Sequence, residues 1–395
     1  MDATTSTNPV PPPDAGVPIV PRGAPVDALA IAAVVAAEVR RAGTQALPVA
    51  TLARLGELRR RHGAGHPFLD AYLGCLLARH EGRFHNRTYL ALPLLERVQA
   101  AAGLAPDRLA ALLMADVVRF ERSATGPDLP DLATRRKRIR HALRFVAASG
   151  DHPVGTDGDL DTVPLPELPT RELTAWFDLS VLPVSARHDE YFFIRALQAH
   201  EMVFTTLADE MVAATAALRA SRAAEATARV EHADLVFTRA AMLFRLVATL
   251  RAEAFHDFRE HTEGASAIQS EQYKRFEAAC ARPSAARLGS PAFGNVPRIR
   301  SAVEAGVDTL TDARAAVSGA GTGTFGCGAF DAALGRLEAA HQRWKAAHHG
   351  LAVRMLGDAP GSGYTAGVPY LRACLSNRLF GDPGDPGDPG DLAAS

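Results

Sequence analysis

The 395-residue chain has little cysteine, few aromatic residues and no dominant charge. Its four cysteines, Cys75, Cys280, Cys327 and Cys374, stand far apart and form no CxxC or CxxCH. That spacing argues against a zinc ribbon, a disulfide scaffold and a prosthetic group attached through CxxCH. A formal net charge of −1 implies no polyanionic partner, so no nucleic acid is expected. The longest apolar run, Ala28 to Ala37, is mostly alanine. It is about half the ~20 residues that a membrane span needs, and no membrane association is expected. Residues 1–25 are rich in Pro, Thr, Asn and Gly and have no basic start followed by an apolar core. They read as a disordered arm, not a signal peptide, and the cytoplasm is the expected compartment.

What the chain does have is Ala, Leu, Arg and Glu, with aromatics at only 6%, a composition that favours an all-α protein. The length suffices for two domains, each with a core. Apolar periodicity predicts helices over about 26–41, 49–61, 90–102, 106–121 and 132–146, with another opening at His66-Pro67. Residues 26–148 are therefore expected to form a small helical N-terminal domain. Residues 149–170, rich in Gly, Asp and Pro, read as a linker. Beyond it, helices are expected over about 189–218, 223–251, 270–280, 297–316 and 329–356 in a second domain, 171–380. Residues 381–395 repeat Gly-Asp-Pro and read as a disordered tail.

Two N-terminal stretches invite a functional reading and are given a structural one. The basic run Arg135 to Arg144 also carries Ile139 and Leu143, with Val146 following at helical spacing, so its charges read as a solvated outer face. The stretch His80 to Pro93 has two histidines, but no third ligand stands at metal spacing.

The chain is organised around Trp344 to Arg372, WKAAHHGLAVRMLGDAPGSGYTAGVPYLR. A helix bearing His348 and His349 runs to Leu356, stops at Gly357 and Pro360, and gives way to a glycine-rich loop. A histidine on the apolar face of such a helix can ligate haem iron through one ring nitrogen, with the other held by an acceptor. His341, two turns earlier, is the other contender on that face.

This stretch resembles the tryptophan 2,3-dioxygenase family of haem enzymes. Its helix is similar to W-x-x-x-H-x-x-x-V-x-R-x-I-G at Trp344, His348, Arg354 and Gly357. The family loop is matched by Gly361, Ser362, Gly363, Gly367, Tyr370 and Leu371. Two further blocks match in the same order, HDEYFFIRALQAHEMVF from His188 to Phe204 and SAIQSEQYK from Ser266 to Lys274. The resemblance covers roughly residues 170–380. It implies a helical haem-binding bundle, preceded here by the separate N-terminal domain.

By resemblance, His348 is the iron ligand of a b-type haem, with Gly361 and Gly363 beside the cofactor. Phe193 packs on the substrate, and Ser362 stands for a loop threonine that holds its amino-acid end. Lys274 stands for an arginine that clamps the carboxylate, and Arg275 next to it is the alternative. The family's distal histidine falls at Leu197, before Gln198, while His200 lies three residues on. Either His200 reaches the pocket by a shifted pose, or the pocket has no ionisable base. A shift would displace Phe193 and the apolar face of its helix, so Leu197 is expected to face the iron-bound oxygen. The implied activity is insertion of oxygen into the ring of tryptophan or a close indole amino acid, with dioxygen or peroxide as oxidant. The alternatives are hydroxylation of tyrosine or a modified aromatic amino acid, and haem binding without turnover. A homo-oligomer is implied by resemblance only.

Overall fold

The computed structural model describes residues 27–150, 160–319, 327–361 and 365–380. The expected arm, the Gly-Asp-Pro tail, residues 151–159 of the expected linker, and Ser362 and Gly363 lie outside the described residues.

Every described element is helical, with no strand among the described residues. The N-terminal half holds α1 (Ala28–Ala42), α2 (Val49–His62), α3 (Pro67–Leu76), α4 (Asn86–Tyr89), α5 (Leu92–Ala102), α6 (Pro106–Ser123), α7 (Leu132–Ala148) and α8 (Arg171–Asp178). The rest holds α9 (His188–Arg219), α10 (Ala223–Val247), α11 (Ala252–Arg259), α12 (Glu271–Cys280), α13 (Ala285–Gly289) and α14 (Pro291–Gly294). It closes with α15 (Pro297–Glu304), α16 (Leu310–Gly319), α17 (Cys327–Leu356) and α18 (Val368–Ala373).

Local chemistry sets many of the boundaries. Asp27, Asp131, Thr170 and Ser270 each accept a hydrogen bond from a backbone amide in the first turn of α1, α7, α8 and α12. The helix expected over 223–251 stops at Val247. There the Thr249 hydroxyl caps the Leu246 carbonyl, and Arg138 takes the Thr249 carbonyl. The helix expected over 297–316 divides into α15 and α16 around Gly306, whose φ of 97° a helix cannot contain.

At 32 residues, or about 48 Å, α9 is the axis of the fold. It is buried on most of its circumference and packs against α6, α10, α11, α12 and α16, while α10 packs in turn on α7 and α17. The segments expected as two domains share one hydrophobic cluster, running from Ile31 through Leu113 and Phe192 to Leu379. The N-terminal helices thus pack on one another and, through α6 and α7, on α9 and α10.

Buried ions reinforce that junction. Arg138 of α7 pairs with Glu121 of α6 at 3.0 Å and Asp189 of α9 at 2.9 Å, all three fully buried. Arg195 of α9 pairs with Asp116 of α6 at 2.7 Å, and Tyr191 donates to the same carboxylate. Against the cost of burial, Arg251 and Arg138 hold the Asp189 carboxyl below its usual range.

Candidate functional site

The site is a cavity walled by α9, α10, α11, α17 and α18, with the segment 262–268 and the start of α4 closing its sides. Two adjoining spaces of about 200 and 140 Å³ share the walls Leu197, His200, Phe244, Ile268 and His348. Together they reach the lower end of the ~300–1,000 Å³ usual for cofactor and ligand sites. The three matching blocks, far apart in the chain, all contribute to this one cavity.

On α9, positions 193, 197 and 200 are spaced by four and three, so they share one helical face. Phe193, Leu197 and His200 accordingly all line the cavity. His200 does so from its own place in an unbroken helix, without a three-residue shift and with Leu197 keeping its place beside it. Its Nδ1 lies 2.9 Å from the Ala196 carbonyl, the contact of a donated N–H. This leaves Nε2 as the lone-pair nitrogen, buried and without a partner. Burial holds the ring neutral, with its pKa pushed down to about 4.

On α17, His348 lines both spaces, whereas His341 and His349 line neither. His341 lies behind the wall, its Nε2 2.9 Å from the hydroxyl of Tyr273, which lines the second space. His348 stacks on Phe244 at 5.3 Å and 14° and makes no hydrogen bond to a described residue. Burial pushes its pKa down to about 4, so this imidazole too is neutral. The acceptor expected behind a ligating histidine is thus seen behind His200 and not behind His348.

Gly357, at φ 54°, ends α17, and the chain then folds back so that the Gly361 amide donates to the Thr365 carbonyl at 2.9 Å. A Cβ at Gly367 would sit 2.7 Å from the Ala359 carbonyl oxygen and 3.0 Å from the Gly361 nitrogen. Only glycine allows this close return, which brings Gly361, Thr365 and Gly367 to the cavity wall. Arg259 donates to the Pro360 carbonyl and ties the loop to α11.

Lys274 and Arg275 part company on α12. Lys274 is buried and lines the cavity, its ammonium 2.7 Å from Glu277. Burial lowers the pKa of this lysine, against the pull of Glu277. Arg275 points outward to Asp209 at 2.6 Å and lines neither space. Arg287 also lines the cavity and forms a fork on Glu277 through Nε and Nη2, at 2.7 and 3.1 Å. Glu277 thus meets two cations, Lys274 and Arg287, one positive charge more than this carboxylate balances.

Several wall residues escaped the sequence reading. Asn86 and Tyr89 come from the stretch read as structural, and Phe244 and Arg287 lie in no matched block. Gln198, although inside a matched block, faces away from the cavity and donates to the carbonyls of Leu90 and Ser180.

A porphyrin-borne iron asks for one neutral imidazole in an apolar pocket, and His348 meets that requirement. Orphaned polar atoms at the wall, His200 Nε2 and Trp344 Nε1, also fit a cavity built around an occupant. Among the described residues no group of three or more His, Cys, Asp or Glu could hold a bare metal ion; a porphyrin would bring ligands of its own and ask only one of the protein. No helix among the described residues is long and apolar enough to cross a membrane. Compared with known proteins, the chain matches no family model and no curated protein.

Proposed function

We propose that the protein is a haem-dependent oxygenase of an aromatic amino acid, with tryptophan or a close indole derivative as the first candidate. The observation that carries this reading is the convergence of three separate sequence blocks on one apolar cavity, where His348 is held neutral by burial. In this reading His348 holds the iron of a b-type haem, and Gly361 and the neighbouring loop close beside it. The haem supplies the activation of dioxygen or peroxide.

The chain's own residues bind and orient the substrate. Phe193, packed against Phe258 at 5.2 Å, and Ile268 form the apolar wall for an aromatic ring. Lys274 takes the carboxylate, supported by the local excess of positive charge beside Glu277. Arg275, engaged outside with Asp209, leaves that role to Lys274. Ser362 is expected to hold the amino-acid end but lies outside the described residues.

Leu197 offers no proton, and this favours a second reading, hydroxylation of tyrosine or a modified aromatic amino acid. Incubation with tryptophan and then tyrosine, under dioxygen with reductant or under peroxide, separates the two by product mass. An oxygenated product from either substrate supports oxygenase chemistry and identifies the reading. Haem binding with no product under any condition leaves the third alternative, a haem-binding protein.

A further inference from the structure

Glu201 is a buried carboxyl that the proposed function does not use. It follows His200 on α9 and lines the histidine cavity on one side. On its other side it lines a separate cleft of about 70 Å³, whose walls include Arg87, Glu96 and Glu271. Glu201 and Asn86 are the residues that face both this cleft and the cavity space lined by Lys274. Asn86 Nδ2 points to a Glu201 oxygen at 3.4 Å, and the Ser270 hydroxyl bonds to the same carboxyl. The backbone N–H of Asn86 donates to Gln269 Oε1 at 2.8 Å and fixes that edge of the wall.

We propose that Glu201 is a proton-relay residue, set in the wall between the cleft lined by Glu96 and Glu271 and the histidine cavity, which takes protons from the cleft and delivers them to the cavity. A proton joins one carboxyl oxygen from the cleft side and another leaves toward the cavity, so no electrons move and no bond to carbon changes. The inference rests on the oxygenase reading for why the cavity consumes protons: Leu197 brings none, and His200 donates its one N–H to Ala196. Burial pushes the Glu201 carboxyl up to about 7, against the hydrogen bonds of Ser270 and Asn86. Such a group exchanges protons readily near neutral pH. The charged and titratable groups around it are Arg87, which lowers its pKa, Glu271, which raises it, Glu96 across the cleft, and His200 and Lys274 at the cavity.

Glu190 provides an internal control. Burial pushes it to about 7 as well, but its carboxyl is closed in by Tyr89, Ser185 and two backbone amides and lines none of these spaces. Infrared spectra of the full-length chain, without substrate, are to be recorded on transfer into heavy water. The protonated-carboxyl bands are assigned by Glu201→Gln and Glu190→Gln. The Glu201 band should shift at least tenfold faster than the Glu190 band and fade as pH rises through neutrality. Absence of a Glu201 band, or exchange no faster than that of Glu190, overturns the proposal.

The second arm uses the haem-loaded protein. Glu201→Gln should slow turnover at least tenfold with unchanged substrate affinity, Glu201→Asp should stay near wild type, and formate should partly restore Glu201→Ala. Wild-type turnover in Glu201→Gln overturns the relay. If the wild-type protein forms no product while the fast-exchanging band is present, the oxygenase reading fails and the proton path stands.

Discussion

Replacing Arg138 with methionine tests how the N-terminal helices are bound to the rest. The guanidinium is fully buried and bonds to Glu121, Asp189, the Thr249 hydroxyl and the Thr249 carbonyl, at 2.9 to 3.1 Å. It also lies 4.1 Å over the Phe192 ring. Methionine keeps much of the side chain's apolar length but leaves two buried carboxylates short of a partner. Breaking a buried ion pair from one side costs about 3–5 kcal/mol. Glu121 still has His188 at 3.2 Å, and Asp189 still has Arg251 at 3.1 Å, so the low end, about 3 kcal/mol, is expected. Reversible urea unfolding of the full-length chain should therefore show one transition with a lower midpoint and an unchanged slope. The exposed neighbour Arg136, changed to methionine, should move stability by less than about 0.5 kcal/mol. An Arg138→Met protein within about 1 kcal/mol of wild type would refute the reasoning. So would two separate transitions, because segments that share a core unfold together.

Other outcomes follow from the cavity. Lys274→Met should weaken binding of an aromatic amino acid at least tenfold, whereas Arg275→Ala should leave titrated affinity unchanged; the opposite pattern would reverse their assignments. Burial raises Glu201 from 4.5 to about 7 in the folded state, so its contribution is fully present below pH 4.5 and lost as pH rises through 7. Urea midpoints of Glu201→Gln should therefore gain on wild type by a few kcal/mol between pH 4.5 and 8, and a constant difference would contradict the raised pKa. His200→Ala, with haem content verified, should keep most of its turnover. A loss of several orders of magnitude with haem and substrate binding intact would make His200 the essential base.

The helices were legible because their signals are local: the periodicity around α9, the caps at Asp131 and Ser270, and the stop at Gly357 all act within a few residues. The split around Gly306 and the break after Val247 were not, since the second depends on Arg138 reaching Thr249 across 111 positions. The same holds for the site. Periodicity and the matched blocks brought Phe193, Leu197, Lys274 and His348 forward. Asn86, Phe244 and Arg287 reach the cavity only through tertiary packing, and nothing in their neighbours marks them. His200 and Leu197, three residues apart, both reach the cavity because the apolar face of α9 is wide enough for the two. Asp189, Glu190 and Gln198, in the same matched block, satisfy buried partners away from the cavity.

The central claim is that His348 carries a b-type haem in this cavity. The most direct test is the absorption spectrum and haem content of the purified full-length chain beside three single variants. A Soret band is expected for wild type, unchanged in His341→Ala and His349→Ala and lost or shifted in His348→Ala. If His348→Ala keeps the wild-type haem content and spectrum, the assignment is contradicted.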